Sequence, residues 1–278
     1  MVPSITICIV HYNKLDKLRE TVSRLQDCTE TPFITRILNN GYVDEEISSY
    51  LSSLEQRDSF EIIYNDDNVG CPPGRHQLLQ DIETEYVMTL DDDMYVQKGW
   101  LQEVLHIFDS DQDIGVVGVP YTSSQASNLR GGAEINTQSG VVELEAIDWD
   151  SVSEHRPFIP VDDVPGGTMI LRTELLDSFN WDPQYFVGMG DIDKSMQILQ
   201  TDWKQVMATG IQFEHDTSTD PEYLKTRKDY RERYRSYRKF VSKWGLRYPL
   251  RRHLIFNYFF RLPWPVMSLI ETLYQRAN

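Results

Sequence analysis

The sequence predicts an α/β fold in which helices flank a mostly parallel sheet. Over the first 120 residues, short apolar runs alternate with segments of helical periodicity, a rhythm typical of strand-helix units joined by right-handed crossovers. With 278 residues, of which 40% are hydrophobic, the chain can also bury a full core. After residue 120 the helical period fades, so we predict a small antiparallel excursion there and a helical appendage at the C-terminal end.

The elements follow in order from this periodicity. Ile5 to Val10 is an apolar run, and apolar residues at helical spacing follow it from Leu15 to Leu25, which predicts a strand and a helix. The unit recurs three times, with strands at 34–38, 60–64 and 86–90 and helices near 45–54, 74–82 and 100–108. Later strands are predicted at 114–120, 166–171 and 210–215, turns and alternating stretches at 121–165, and a helix from Gly190.

Charge divides the chain into an acidic body and a basic end. Residues 1–220 carry 39 acidic and 13 basic side chains, whereas residues 221–261 carry 3 and 13. Because the acidic body repels phosphate backbones, we do not expect nucleic acid as a partner. The cysteines Cys8, Cys28 and Cys71 have no metal or disulfide spacing and the start lacks a signal-peptide pattern, so a cytoplasmic location is expected.

Polar clusters stand at the carboxyl ends of the first four predicted strands. They are Tyr12-Asn13, Asn39-Asn40, Asn68 to Arg75 and Asp91 to Asp93. Ligands of parallel sheets bind at these ends, so the four clusters should converge on one crevice.

The triplet Asp91-Asp92-Asp93 is the strongest of these signals. Alternation along an extended chain places Asp91 and Asp93 on one side and turns Asp92 away. Two carboxylates on one side suit Mg²⁺ or Mn²⁺, which share their coordination with phosphate oxygens and water. An acidic turn in an acidic protein is the alternative interpretation.

Three stretches resemble the motifs of a known family. In order and spacing, ITICIVHYNKLDKLRETV, VMTLDDD, and PGGTMILR followed by FNWDPQYFVGMGDIDKSMQ resemble family 2 glycosyltransferases of the GT-A fold, over roughly residues 4–216. The resemblance implies metal-dependent, inverting transfer of a hexose-type sugar from a nucleotide diphosphate sugar to a hydroxyl of a glycan or lipid-linked glycan. It divides the body (1–220) into a nucleotide-binding half (1–120) and an acceptor-binding half (121–220), followed by a basic, aromatic helical segment (221–278).

The resemblance also implies a donor site. It places the nucleotide against Val10, Tyr12, Asn13, Asn39, Asn68, Gly70, Arg75, Asp91 and Asp92. Asp93, Asp91 and His215 would hold Mn²⁺ or Mg²⁺, and the cation would take up the charge that develops on the leaving diphosphate. Asn39 stands where the family usually has aspartate, so the identity of the nucleobase in the donor stays open.

The acceptor side is implied by Gly190-Asp191-Ile192-Asp193, which resembles the acidic start of the family's acceptor-side helix. Asp191 is the predicted catalytic base, because an inverting transfer needs a carboxylate that takes the proton of the incoming hydroxyl. Asp193 is the reserve base. Around the donor and acceptor sugars the resemblance places Gly166, Gly167, Trp181 and Asp193.

The C-terminal segment leaves two interpretations open. A helix is predicted from Asp220-Pro221-Glu222, and one of its faces carries Tyr223, Tyr230, Tyr234, Tyr237, Val241 and Trp244. This basic and aromatic segment either contacts an anionic membrane surface, which would bring a lipid-linked acceptor within reach, or packs on the acidic body. The late apolar stretch 254–274 contains charged residues and prolines and is not predicted to span a bilayer.

Two other functions compete with sugar transfer. A nucleotidyltransferase of related fold would normally show a glycine-rich, basic phosphate loop after the first strand, and residues 11–14 (HYNK) do not form one. A non-catalytic sugar- or nucleotide-binding module is the second alternative, motivated by Gly190 and Asn39, which depart from the family pattern. A glycosidase fits less well, because its two carboxylates need neither a metal nor a nucleotide crevice.

Overall fold

The computed structural model describes residues 4–124, 126–153, 155–218 and 230–247. Its helices are α1 (Leu15–Cys28), α2 (Glu45–Glu55), α3 (Cys71–Leu78), α4 (Trp100–Ser110), α5 (Gly190–Ile198) and α6 (Tyr230–Trp244). Its strands are β1 (Ile5–His11), β2 (Phe33–Asn40), β3 (Phe60–Asn65), β4 (Tyr86–Asp91), β5 (Met94–Tyr95), β6 (Ile114–Gly118), β7 (Tyr121–Ser123), β8 (Ala126–Arg130), β9 (Ala133–Asn136), β10 (Glu143–Ala146), β11 (Phe158–Pro160), β12 (Thr168–Arg172), β13 (Lys204–Ala208) and β14 (Phe213–His215).

Eight strands form the central sheet, in the order β11-β13-β6-β12-β4-β1-β2-β3. Strands β4, β1, β2 and β3 are parallel neighbours, and β13 is parallel to β6. Strand β12 lies antiparallel between β4 and β6. The predicted α/β class with a mostly parallel sheet is therefore confirmed.

The central strands β1, β4, β6 and β12 are buried on both faces, which explains why their sequences are largely apolar. On one face Ile5, Ile7 and Ile9 of β1 join the core cluster that contains Leu18 and Val22 of α1. On the opposite face Cys8 packs in a second cluster with residues of β2, α3 and β4. Burial raises the pKa of the Cys8 thiol to about 12, as expected for a small core residue.

The four strand-helix units of the first 110 residues match the predicted ones, apart from their ends. Helix α3 begins at Cys71, ahead of the predicted start, because Pro72 and Pro73 occupy its first turn, where backbone N–H groups have no helical partner. Strand β13 was not predicted. The antiparallel excursion predicted after residue 120 is present, and it contains the antiparallel pairs β7 with β8 and β9 with β10.

A second, four-stranded sheet in the order β5-β14-β7-β8 was not foreseen from the sequence. In it β14 pairs with β5, the two-residue strand that directly follows the aspartate triplet, and His215 is the partner of Met94. This pairing fixes the end of β14 beside the end of β4.

Helix α6 packs on the second half of the body. Phe240 is fully buried in a cluster with Val142, Tyr185, Met189 and Ile192. Tyr237 and Trp244 of the predicted stripe pack against the same cluster. At these two positions the stripe is therefore a packing face.

The predicted start of this helix at 220–222, together with Tyr223, and the stretch 254–274 lie outside the described residues. In the part of the chain that the structure covers, no helix is long and apolar enough to cross a membrane.

Candidate active site

A cavity of about 400 Å³ opens at the carboxyl ends of β1, β2 and β4. Of the predicted site residues, those that line it are Val10, Tyr12, Asn13, Asn68, Gly70, Arg75, Asp91, Asp92, Asp93, Gly166, Gly167, Trp181, Asp191 and His215. Asn39 and Asp193 do not line it. The convergence of the four polar clusters thus takes place, although Asn40 rather than Asn39 represents the second cluster.

The three aspartates have three different environments. Asp91 accepts a hydrogen bond from Arg75 at 2.6 Å. Asp92 lies 2.7 Å from His11 Nδ1, and its backbone oxygen accepts from Thr21. Both oxygens of Asp93 are engaged: Oδ2 accepts from Lys14 Nζ at 2.7 Å, and Oδ1 lies 3.3 Å from His215 Nε2.

Asp93 is kept charged although it is buried. Burial alone would raise the pKa of this carboxyl, but the hydrogen bond with His215 and the charge and hydrogen bond of Lys14 outweigh it and hold the pKa well below its usual range. The Asp93 carboxylate is therefore held in its charged form by its contacts with Lys14 and His215.

Arg75 connects the two sides of the cavity. Its guanidinium, projecting from α3, lies 2.6 Å from Asp91 and 3.3 Å from Asp191, and it stacks on the Trp181 ring at 4.6 Å. Burial disfavours the charged form of Arg75, but the negative charges around it raise its pKa above the ordinary value. Because Trp181 is fully buried beneath this guanidinium, its ring supports Arg75.

Gly166 and Gly167 are glycines because side chains approach them closely. A β-carbon at Gly166 would lie 2.3 Å from Arg75 Nη1 and 2.4 Å from Asp191 Oδ1. One at Gly167 would lie 2.3 Å from Asp91 Oδ2. Neither glycine has a positive φ, so the space they leave, rather than their backbone freedom, is what the site requires.

Helix α5 separates its two aspartates. Asp191 lines the cavity with 58% of its side chain exposed. Asp193 is fully buried and accepts hydrogen bonds from Tyr185, Gln197, Lys243 and Trp244. The predicted place of Asp193 beside the sugars, and its reserve role as base, do not fit this position, because its carboxylate joins α6 to α5 instead.

Asn39 does not line the cavity, but it contacts Tyr42, whose ring packs against the cavity-lining Tyr12. Its side-chain amide donates to the backbone oxygen of Tyr42 at 3.1 Å, and the Tyr42 ring meets the edge of Tyr12 at 5.1 Å. Its neighbour Asn40 donates to Asn68 Oδ1 at 3.1 Å and thereby holds the loop before α3. The prediction that Asn39 contacts the nucleotide directly is thus not met by its position.

Fewer of these residues than predicted are placed to bind a metal ion. Among the described residues, no three His, Cys, Asp or Glu side chains are grouped as metal ligands. Asp93 and His215 nevertheless bring a carboxylate and an imidazole together, and Mn²⁺ needs few protein ligands when phosphate and water complete its shell. These two residues fit the ion, whereas Oδ1 of Asp91 accepts a hydrogen bond from Arg75.

Two basic residues of the cavity wall were missed. Lys14 follows the Tyr12-Asn13 cluster directly, so its place after β1 was a usable signal. Arg233 comes from α6, far along the chain, and no local pattern connects it with the strand ends. Only the packing of α6 on the body brings it there.

On this sheet the carboxylates at the end of β4 lie against a glycine pair, and Arg75 joins them to an acidic helix start. This is the arrangement of a GT-A glycosyltransferase. Residues 6–179, more than half of the chain, match the sequence model of glycosyl transferase family 2. The chain belongs to that family.

Solved structures show the same fold. S. aureus TarS 1-349 aligns with a TM-score of 0.56 and 13% identity over 84% of this chain and 65% of TarS 1-349. GalNAc-T7 with UDP, GalNAc and Mn²⁺ aligns with a TM-score of 0.64 and 14% identity, over 93% of this chain and 53% of its own. TarS 1-349 in complex with UDP gives 0.58 and 14%, over 86% and 65%.

The chain thus spans less than two thirds of each of these proteins, and at these identities the likeness concerns the fold alone. A comparison with curated protein sequences gave no significant match.

Proposed function

We propose that this glycosyltransferase moves a hexose-type sugar from a nucleotide diphosphate sugar to an acceptor hydroxyl with inversion, and that Asp191 is the base. One observation carries the proposal: a single guanidinium, Arg75, contacts both Asp91 at the donor-side strand end and Asp191 at the start of α5. A sugar held between them would have a leaving group on one side and a carboxylate on the other.

The chemistry of Asp191 follows from its surroundings. Its side chain is 58% exposed, so an acceptor hydroxyl can reach it. As the bond from the sugar to the diphosphate breaks, the hydroxyl oxygen forms the new bond and Asp191 takes its proton. Arg75, already in contact with this carboxylate, holds its orientation.

The donor side would bind the nucleotide through the wall formed by Val10, Tyr12, Asn13, Asn68 and Gly70. TarS was solved with UDP and GalNAc-T7 with UDP and Mn²⁺, which supports a nucleoside diphosphate and makes UDP the first probe to use. We propose that Asp93 and His215 hold Mn²⁺; when bound, the ion would take up charge on the leaving diphosphate.

The proposal is tested by a thermal-shift panel of nucleotide sugars and nucleoside diphosphates, with and without Mn²⁺, because a ligand that binds only the folded state raises the melting temperature. We expect one nucleotide to stabilise the protein with Mn²⁺ present, and Asp93→Ala to lose that metal-dependent shift. Donor hydrolysis by the intact protein then separates an enzyme from a binding module. Binding without any turnover would support the module, and no stabilisation by any nucleotide would refute the donor proposal.

The outer face of α6 supports a second part of the proposal, contact with an anionic membrane surface and a lipid-linked acceptor. Arg235, Arg238, Lys239 and Ser242 are exposed at helical spacing, opposite the buried Phe240. Basic side chains on one face of a helix favour binding to anionic lipid headgroups.

Partitioning onto vesicles with and without phosphatidylserine tests this contact. We expect the double variant Arg235→Gln with Arg238→Gln to bind the anionic vesicles several-fold more weakly than the unaltered protein. Equal partitioning of the two proteins would rule out a membrane role for this face.

A further inference from the structure

Asp93 already has a cation beside it, at the position where the proposed function places a metal. Lys14 Nζ donates to Oδ2 at 2.7 Å, and the Lys14 side chain is only 9% exposed while it lines the cavity. On the other side of the same carboxylate, His215 Nε2 lies 3.3 Å from Oδ1. A metal ion bound to Asp93 must therefore share this carboxylate with an ammonium group.

The second lysine nearby is held differently. Lys17 Nζ is 3.7 Å from Asp93 Oδ2, but it donates to the backbone oxygens of Asp216 and Ser218 at 2.6 Å each. It ties α1 to the chain after β14 and does not line the cavity. Lys14 is therefore the one of these two cations that can meet a bound ligand.

Electrostatic repulsion determines what happens to Lys14 when an ion binds Asp93. Two positive groups a few ångströms apart repel strongly where water is partly excluded, so an ion on Asp93 weakens the hold of this carboxylate on Lys14. The ammonium ends a flexible four-carbon stem and can follow negative charge over a short distance. A diphosphate in the cavity would bring that charge, with several oxygens able to accept from Nζ.

We propose that Lys14 is a diphosphate-binding residue that neutralises Asp93 in the ligand-free protein and turns to the donor diphosphate when the metal occupies Asp93. The proposal rests on the proposed function for its diphosphate. The competition between Lys14 and the ion for Asp93 stands without it. Its consequence is that metal and nucleotide bind with positive coupling, since each ligand removes the obstacle to the other.

The experiment measures Mn²⁺ affinity by the electron paramagnetic resonance signal of the free ion, without nucleotide, and then UDP affinity by calorimetry at saturating Mn²⁺. The proteins are the unaltered chain, Lys14→Gln, Lys14→Arg and the matched control Lys17→Gln, each checked for an unchanged melting curve. If UDP does not bind, the nucleoside diphosphate with the largest thermal shift replaces it.

We expect Lys14→Gln to bind Mn²⁺ roughly tenfold more tightly in the absence of nucleotide, and UDP roughly tenfold more weakly in the presence of Mn²⁺. Lys17→Gln removes the same charge 3.7 Å from Asp93 but outside the cavity lining, so it should tighten Mn²⁺ binding slightly and leave UDP binding within about twofold. Lys14→Arg keeps the charge and should restore most of the UDP affinity.

The outcomes are distinguishable. Unchanged Mn²⁺ affinity in Lys14→Gln would overturn the competition for Asp93, and tighter Mn²⁺ with unchanged UDP affinity would overturn the diphosphate contact. Equal losses of UDP affinity in the Lys14 and Lys17 variants would also overturn it, because they would reflect net charge alone. If no nucleotide binds to any of the proteins while Mn²⁺ behaves as expected, the competition stands and the donor proposal fails.

Discussion

The protein contains two Asp-x-Asp pairs at its candidate site, and they behave in opposite ways. At the end of β4 both Asp91 and Asp93 line the cavity. At the start of α5 only Asp191 does so, whereas Asp193 is fully buried and bonded to α6. The same sequence spacing thus gives two cavity carboxylates in one place and one in the other.

Backbone geometry explains the difference. Asp91 is the last residue of β4 and Asp93 follows it in the turn before β5, and both stay on the cavity side, whereas side chains two positions apart in a helix with 3.6 residues per turn are about 200° apart around the axis. Asp193 is therefore turned into the body once Asp191 faces the cavity. A motif with an aspartate at every second position has to be assigned to strand or helix before roles are given to its members.

The largest expected effect comes from the exposed member of the helical pair. We expect Asp191→Asn to lower the transfer rate by about 10²–10⁴-fold while donor affinity stays near that of the unaltered protein, because only proton removal is lost. Steady-state transfer kinetics and donor titration measure the two quantities. A transfer rate equal to that of the unaltered protein would eliminate Asp191 as the base.

The buried member should govern stability instead. Asp193→Ala leaves Lys243, Trp244 Nε1 and Tyr185 Oη without their shared acceptor, so the free energy of unfolding should fall by about 3–5 kcal/mol. Chemical denaturation measures this change. As the matched control, Asp191→Ala alters a carboxylate that is 58% exposed and should change the stability by under about 0.5 kcal/mol. Equal costs at the two positions would contradict the contrast.

The aspartate pair at the end of β4 can be disturbed by a substitution at Gly167, which lies next to the Asp91 carboxylate. A β-carbon there would lie 2.3 Å from the Asp91 carboxylate, so Gly167→Ala should displace Asp91 from Arg75, cost about 1–3 kcal/mol and lower transfer by roughly 100-fold. Gly99→Ala is the control, since its β-carbon meets nothing within 4 Å and only its φ of +81° opposes the change. Denaturation and transfer assays on both variants should show a loss of transfer only at Gly167. Normal transfer by Gly167→Ala would mean that the position of Asp91 is unimportant.

Much of this arrangement could be predicted from the sequence because buried parallel strands have a recognisable apolar pattern. The largely apolar strands β1 and β4 are buried on both faces, and the polar residues that end them and β2 had to gather at one edge. Strand alternation also predicted that Asp91 and Asp93 face the same side, and both line the cavity, although Asp92 lines it as well while its carboxylate contacts His11.

The remaining features depend on contacts between distant segments. The environment of Asp193 is set largely by α6, some 50 residues later, and His215 meets Asp93 only because β14 pairs with β5. Asn39 turns to Tyr42 through a hydrogen bond that residue type does not specify, since Asn40 beside it has the same chemistry. Tertiary pairing rather than local pattern decides such positions.

The smallest expected effect comes from Lys243 of α6, and it separates the contribution of charge from that of packing in the contact between α6 and Asp193. Lys243 Nζ lies 2.9 Å from Asp193 and 3.0 Å from Asp182, but about a third of its side chain is exposed, so solvent screens both ion pairs. We expect Lys243→Met to lower the free energy of unfolding by no more than about 1 kcal/mol, because Trp244 and Tyr185 still donate to Asp193 and the methylene stem is kept.

Chemical denaturation of Lys243→Met beside Lys204→Met, a lysine paired with Asp111 and Asp113 at an exposed site away from α6, checks this expectation. The cost at Lys243 should be similar to the small cost at the solvent-exposed Lys204. A loss at Lys243 close to that of Asp193→Ala would show that the buried carboxylate depends on its ion pair rather than on its neutral donors. The helical aspartate pair would then resemble the strand pair, in which Lys14 and Arg75 supply the balancing charge.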